Sequence, residues 1–305
     1  MIDSPAITFL FLIAFFWGTA WGSFLNVVIY RLPEGLSLVN PGSRCSTCEV
    51  PIRWYDNIPC LSYLILRGRC RACGATFSPR YALIECACGI MSLVLFRAIF
   101  KTFEPDTIWI NFAHWMWLQA FIYALVVIIF IDLEHFFIPD ELSLPGTIIG
   151  IGGAYLLPMY SGQTALIGAA VGAGFMLAIF GLGWLIFKRE ALGLGDAKLM
   201  ALIGAFLGWK PLAFVIFASS VQALLAVFLV RLYSKITGAE DTLTTTTEQL
   251  DAYFGEDEKY ADQGHPSRTV IPYGPFLSLA ALEALFFGDD FFWAFANQCA
   301  QLLYG

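Results

Sequence analysis

The chain has 305 residues, 58% of them hydrophobic and only 13% charged, with a net charge of −7. That balance is the profile of a membrane protein with several spans and not of a soluble domain. Most of the acid excess falls in one polar stretch near 238–268, and no basic patch is interleaved with aromatics, so nucleic acid is not among the expected partners.

A helix needs about 20 predominantly apolar residues to span a bilayer. Eight stretches approach that length: 6–30, 82–100, 112–131, 143–160, 164–187, 196–209, 211–234 and 270–288, of which 196–209 is the shortest. The N-terminus begins Met-Ile-Asp without the basic region of a cleaved signal peptide, and its apolar run is too long for one, so it reads as a retained first span. Small residues recur at helix-packing spacing, as in Gly18-x-x-x-Gly22 and Gly168-x-x-x-Gly172, which lets helix backbones approach closely in lipid.

Orientation follows from arginine and lysine, because short loops rich in them stay in the cytoplasm. The first loop holds Arg31, Arg44, Arg53, Arg67, Arg69, Arg71 and Arg80. Alternation then puts Asp132 to Glu141, Lys188, Arg189, Lys198, Arg231, Lys235, Lys259 and Arg268 inside, with only Lys101 and Lys210 dissenting. The pattern predicts an all-α polytopic membrane protein with about eight transmembrane helices and both termini outside.

Between the first two spans, Cys45-Ser-Thr-Cys48 and Cys70-Arg-Ala-Cys73 form two C-x-x-C knuckles separated by 21 residues. Four thiolates at this spacing fit a structural zinc site, tetrahedral and coordinatively closed, that holds a small domain together. Paired disulfides and a redox site are the alternatives; the reducing cytoplasm disfavours the first, and the lack of a thioredoxin-type strand-to-helix turn disfavours the second. Cys60, Cys86, Cys88 and Cys299 lack such spacing and read as packing residues.

Asp132 closes the apolar run Phe121 to Ile131, and Pro139 shortly after it lets a new helix start cleanly. Asp196 follows a glycine-broken turn in Gly193-Leu194-Gly195-Asp196-Ala197-Lys198, where the backbone can approach a partner closely. Two spans separate the two acids, so the topology returns both to one membrane face. An ionisable group at membrane depth is costly, and a pair at one level is a functional-site hypothesis. Two carboxylates sharing a site do not easily both ionise, so one takes a proton from water while the other supplies one to a leaving amide nitrogen. A helix cap or a solvated charge is the ordinary explanation of a single aspartate at a helix end, and it is the one we adopt for Asp140 and Glu141. Glu134 and His135 beside Asp132 invite a metal site, but the other two histidines lie elsewhere, His114 near the start of the 112–131 stretch and His265 in the polar stretch 238–268.

The stretch 238–268 carries Thr242 to Thr246 with one non-threonine residue and the run Gly255-Glu256-Asp257-Glu258, which reads as a flexible acidic loop. The expected organisation is therefore a first transmembrane helix at 1–30, a cytoplasmic four-cysteine zinc module at 31–81, a transmembrane catalytic bundle at 82–235, the acidic insert at 236–269, and a last transmembrane helix with its tail at 270–305.

These motifs resemble those of the type IV prepilin peptidases, bacterial inner-membrane aspartic proteases with a GxGD signature, over nearly the whole chain. The resemblance runs through Gly22-Ser-Phe-Leu-Asn26-Val-Val-Ile-Tyr-Arg31-Leu-Pro33, the two knuckles, Trp54-Tyr-Asp-Asn57-Ile-Pro59, Ser78-Pro-Arg80-Tyr81, Ile131-Asp132, Ile138-Pro139-Asp140, Gly193 to Lys198, and Ile271-Pro-Tyr-Gly-Pro275-Phe. It implies that Asp132 and Asp196 are a catalytic dyad, and that the substrates are prepilins and type II secretion pseudopilins whose basic leaders are cut at the cytoplasmic face. It also implies methylation of the new N-terminal residue with S-adenosylmethionine. Nothing in the chain resembles a glycine-rich cofactor turn, so no residue is assigned to that methyl donor. Cys60 and Ala82 stand where the family pattern leads us to expect an aliphatic residue and proline, and the insert is longer than expected. The acids Asp132, Glu134, Asp140, Glu141 and Asp196 suit a basic leader, since long-range attraction speeds encounter.

The alternative from a different class is a proton- or cation-coupled transporter, which predicts acids near the bilayer midplane and a repeat between halves. A third reading is a zinc-stabilised membrane scaffold without catalysis.

Overall fold

The structure is a computed structural model that describes residues 5–101, 104, 106–158, 160–187, 193–237, 245–246 and 269–288. Its long helices are α1 (Pro5–Arg31), α3 (Arg80–Ile99), α4 (Ile108–His135), α5 (Asp140–Leu156), α6 (Gly162–Phe187), α7 (Leu194–Leu207), α8 (Leu212–Thr237) and α9 (Gly274–Phe287). A one-turn 3-10 helix (Trp54–Asp56) and the short α2 (Leu61–Leu66) lie between α1 and α3.

Each expected span contains a helix, but the lengths differ. Among the described residues, five segments are long and apolar enough to cross a membrane: Thr8–Arg31, Arg80–Ile99, Ile108–His135, Gly162–Ile186 and Leu212–Thr237. The helices α5, α7 and α9 have 17, 14 and 14 residues. At about 1.5 Å of rise per residue, 14 residues cover only about 21 Å, short of a hydrocarbon core of about 30 Å.

The chain forms two compact units, Met1–Val127 with Tyr155–Tyr160, and Ile128–Ala154 with Ser161–Gly305. In the first, α1 and α3 meet along the glycine seam anticipated at Gly18 and Gly22. A Cβ on Gly18 would sit 2.4 Å from the Cys88 carbonyl oxygen, and one on Gly22 would sit 2.8 Å from the Glu85 Cα. Ser92 of α3 donates to the Ala14 carbonyl at 2.7 Å, and the Trp115 indole N–H donates to the Ser92 carbonyl at 3.2 Å. Trp21 of α1 stacks on Tyr123 of α4, with ring centroids 5.7 Å apart.

In the second unit α7 is the core. Its Leu199, Met200, Leu202, Ile203 and Ala205 are fully buried, as expected of a helix that is apolar all round. Gly168 of α6 and Gly204 of α7 touch backbone to backbone, each occupying space where a Cβ would fall 2.1–2.2 Å from the other's carbonyl oxygen. Gly146 and Gly150 of α5 pack against Leu202 and against Ala205 and Phe206. Enclosed in this way, α7 needs no lipid-facing length, and that accounts for its 14 residues.

The acidic insert lies largely outside the described residues. The part that is described holds a feature the sequence did not suggest, an antiparallel pair of two-residue strands, β1 (Thr245–Thr246) and β2 (Thr269–Val270), joined as Thr245 with Val270 and Thr246 with Thr269.

Candidate active site and cysteine centre

The two knuckles are built as one motif used twice. The Cys45 amide donates to the Val50 carbonyl and the Glu49 amide to the Cys45 carbonyl; likewise Cys70 donates to Ala75 and Gly74 to Cys70. The residue four after each first cysteine takes the left-handed conformation, with φ of 57° at Glu49 and 74° at Gly74. These turns aim four sulfurs inward. All lie within 4.8 Å of one another, with Cys45 and Cys73 Sγ 3.8 Å apart and Cys48 and Cys70 Sγ 4.0 Å apart. A tetrahedral ion with metal–sulfur bonds of about 2.3 Å has sulfur–sulfur edges of about 3.8 Å. The four thiols thus fit a metal ion as they stand.

Their electrostatics also suit ligation. The backbone amides of Cys48 and Thr47 stabilise the Cys45 thiolate and bring its pKa down to about 6. The Ala75 amide acts in the same sense on Cys73, but desolvation and the three neighbouring thiols outweigh it and push Cys73 up to about 11. Arg71, inside the second knuckle, holds Asp56 of the 3-10 helix through Nε and Nη2 at 2.6–3.0 Å, so the knuckle is tied to the chain that precedes α2.

Of the other cysteines, Cys88 is buried packing as expected, and Cys299 lies outside the described residues. Cys60 and Cys86 are not simple packing residues, because their sulfurs face each other at 2.7 Å as free thiols. The Cys60 amide also donates to Glu85 Oε2 at 2.7 Å.

Asp132 lies in the last turn of α4 and Asp196 in the first turn of α7, and both are buried, at 5% and 8% exposure. The structure brings them within electrostatic reach of each other. Ile138, in the link from α4 to α5, marks their common ground: a Cβ on Gly195, next to Asp196, would lie 3.2 Å from Ile138 Cβ, and one on Gly274 would lie 3.1 Å from its Cδ1 and 2.6 Å from Asp132 Oδ2.

Each carboxylate is held by the start of a helix. A helix leaves its first four amides without intrahelical partners, and an acceptor placed there satisfies one and meets the positive end of the dipole. Asp132 Oδ2 accepts from the Gly274 amide at 3.0 Å, at the first residue of α9. Asp196 is the third residue of α7 and reaches back to the amide of Gly193, its N-cap, in the manner of a capping box. Phe136 ends α4 immediately after the site: its amide donates to the Asp132 carbonyl at 3.0 Å, and its φ is 57°.

The neighbouring acids take other parts. Asp140 and Glu141 stand in the first turn of α5, where acids complement the helix dipole. Asp140, at the surface, receives Lys198 Nζ at 2.6 and 2.8 Å, so the lysine of the glycine-rich signature pairs with an acid outside the dyad. Two contributors to the site carried no assignment in the sequence: the Gly274 amide and the side chain of Ile138. A backbone donor has no residue-type signature, although glycine before Pro275 at a helix start was the available hint.

Two family models match the chain, "Bacterial Peptidase A24 N-terminal domain" over residues 16–99 and "Type IV leader peptidase family" over residues 119–229. Among curated relatives, a Myxococcus xanthus protein is 36% identical over 89% of this chain and 88% of its own length. One from Pseudomonas putida is 30% identical over 90% of each, and one from Klebsiella pneumoniae is 37% identical over 68% of this chain and 89% of its own. All three are named prepilin leader peptidase/N-methyltransferase. No solved structure matches the chain. With matched segments that hold both the cysteine knuckles and the paired aspartates, the chain belongs to the type IV leader peptidase family.

Proposed function

We propose that this protein is a membrane aspartic endopeptidase that removes the basic leader of type IV prepilins and pseudopilins, with Asp132 and Asp196 as its catalytic dyad. The observation that carries the reading is the pairing itself: two carboxylates from different helices, both buried, each fixed by a helix-start amide. In such a site one carboxylate accepts a proton from the attacking water, and the other gives a proton to the leaving nitrogen. The relatives' names support the peptidase class, and nothing in them supports transport.

The same names include N-methyltransferase, which supports a second activity; we read it as methylation of the newly exposed residue, with S-adenosylmethionine as the donor that the family resemblance implies. The described residues include no glycine-rich strand-to-helix turn, and the only strands among them are two residues long. We therefore place the donor on no residue and derive no step through it. Zinc held by Cys45, Cys48, Cys70 and Cys73 would serve structure, since four thiolates close its coordination sphere. The site faces the cytoplasm from the bacterial inner membrane, an orientation that rests on the arginine-rich first loop.

The test is cleavage of a synthetic prepilin by purified protein, followed by mass spectrometry of the mature N-terminus. Asp132→Ala and Asp196→Ala should each abolish cleavage; near wild-type turnover by either removes it from the dyad.

A further inference from the structure

The Gly274 amide reaches Asp132 only if the first turn of α9 is held in register, and the residue before it supplies the means. Tyr273 is the N-cap of α9. Its hydroxyl lies 2.7 Å from Ser219 Oγ and 3.0 Å from Ser220 Oγ, both on α8. Those two hydroxyls also lie 3.0 and 2.7 Å from the Ile216 carbonyl oxygen. Three hydroxyl protons therefore serve four short contacts, and at most three hydrogen bonds exist at once. If both serines donate to Ile216, the tyrosine proton goes to one of them; if one serine turns to the tyrosine oxygen, the tyrosine still donates to the other. Either way Tyr273 is fastened to a fixed point on α8. Ser219 is fully buried, and Ser220 and Tyr273 are half-buried.

We propose that Tyr273 is a positioning residue for the peptidase reaction: its clamp on Ser219 and Ser220 sets the Gly274 amide on Asp132 and thereby fixes the direction of that carboxylate. The inference rests on the dyad reading above. Three features converge on it. The tyrosine and the donor amide are adjacent, so no freedom separates anchor from effect. Gly274 is packed so closely on Asp132 that even a Cβ would overlap it, so a small slide of α9 moves the amide off the oxygen or into it. Further along the helices, Gln222 of α8 donates to Glu283 of α9 at 2.7 Å, a second tie that holds the pair together without touching Asp132.

The two ties allow positioning to be separated from simple packing. Tyr273→Phe keeps the ring and removes the hydroxyl, and Ser219 and Ser220 retain Ile216 as an acceptor, so no buried donor is stranded. Turnover should fall on the order of tenfold or more with KM unchanged, because displacement of a reacting group costs rate and not substrate binding. The double variant Ser219→Ala/Ser220→Ala, which leaves Tyr273 intact, should lose a similar factor. Combining all three changes should cost no more than either alone, since each breaks the same clamp. Gln222→Ala should lower thermal stability and leave kcat in place. Wild-type kcat in Tyr273→Phe, losses that multiply, or a rise in KM at constant kcat would each overturn the proposal. If Tyr273→Phe does not fold, the serine double variant decides alone. Asp132→Ala is assayed beside them: cleavage by that variant would sink the dyad reading itself, whereas a null result at Tyr273 with an inactive Asp132→Ala rejects only the clamp.

Discussion

Gly274 donates its backbone amide to Asp132 across 142 residues of sequence, so the last described helix begins on a carboxylate from the fourth. The contact makes the glycine a steric requirement as well as a donor. Gly274→Ala places a Cβ 2.6 Å from Asp132 Oδ2 and 3.1 Å from Ile138. Activity should fall by about a hundredfold or more, the scale of a catalytic group displaced by about 1 Å. The glycines of the signature should then rank in order. Gly195→Ala meets Ile138 Cβ at 3.2 Å and should be impaired, whereas Gly193→Ala meets nothing closer than 3.7 Å among the described residues, at a φ of −74°, and should keep most of its activity. Cleavage assays on the three variants check the ranking, and a Gly193 variant worse than the Gly274 variant would contradict it.

The pair of Lys198 with Asp140 should matter little. Its side chains are 37% and 52% exposed, and exposed pairs contribute roughly 0.2–1 kcal/mol. Asp140→Asn should shift the thermal midpoint by no more than a few degrees and leave cleavage within a few-fold of wild type. Loss of activity comparable to that of Asp132→Ala would mean that Asp140 belongs to the chemistry.

Metal uptake by the cysteine centre should depend on pH in two stages. Zinc binds thiolates, so binding displaces protons and affinity rises with pH. Above about pH 6 Cys45 is already a thiolate and contributes no proton, while Cys73, pushed up to about 11, must give one up. Below about 6 Cys45 also competes, and the dependence steepens. Titration calorimetry of stripped protein in buffers of different ionisation enthalpy measures the proton count. A count that stays the same from about pH 5 to about pH 7 would oppose this assignment.

Cys60 and Cys86 should form an intramolecular disulfide under a mild azo oxidant such as diamide, the two thiols losing two electrons and two protons to its nitrogen–nitrogen double bond. Their sulfurs stand 2.7 Å apart, and a metal ion bound at the knuckles would shield the thiols there by ligation. Peptide mapping under non-reducing conditions should find the link between Cys60 and Cys86 first; a link between the knuckles ahead of it, in metal-loaded protein, would go against the geometry.

Glu49 holds the left-handed position that Gly74 fills in the other knuckle, and glycine bears that conformation at lower cost. Glu49→Gly should therefore be neutral or stabilising by up to about 1 kcal/mol, read as the thermal midpoint of the metal-loaded protein.

The site was legible where side-chain chemistry and chain position coincide. Asp132 and Asp196 are acids at the ends of apolar runs, and the knuckles are cysteines at ligand spacing, so both announce themselves. The Cys60 and Cys86 contact was not legible, because one thiol precedes α2 and the other lies in α3, with no local spacing between them. The lengths of α5, α7 and α9 were overread, because an apolar window looks the same whether lipid or protein covers it. In α7 the cover is protein, through Gly168 and Gly150. The β1 and β2 pair had no alternating pattern to reveal it, being two residues long on each side.

The length of α4 bears on how a hydrolase of this kind can be wet. Roughly 36 Å of helical rise separates Ile108 from Asp132, more than the roughly 30 Å of hydrocarbon that an upright helix must traverse. With the catalytic role proposed above for Asp132, an upright α4 that starts at one face of the bilayer is long enough to carry that residue past the lipid, where attacking water would be drawn from bulk solvent and a peptide bond could be presented without unwinding a substrate helix inside the bilayer.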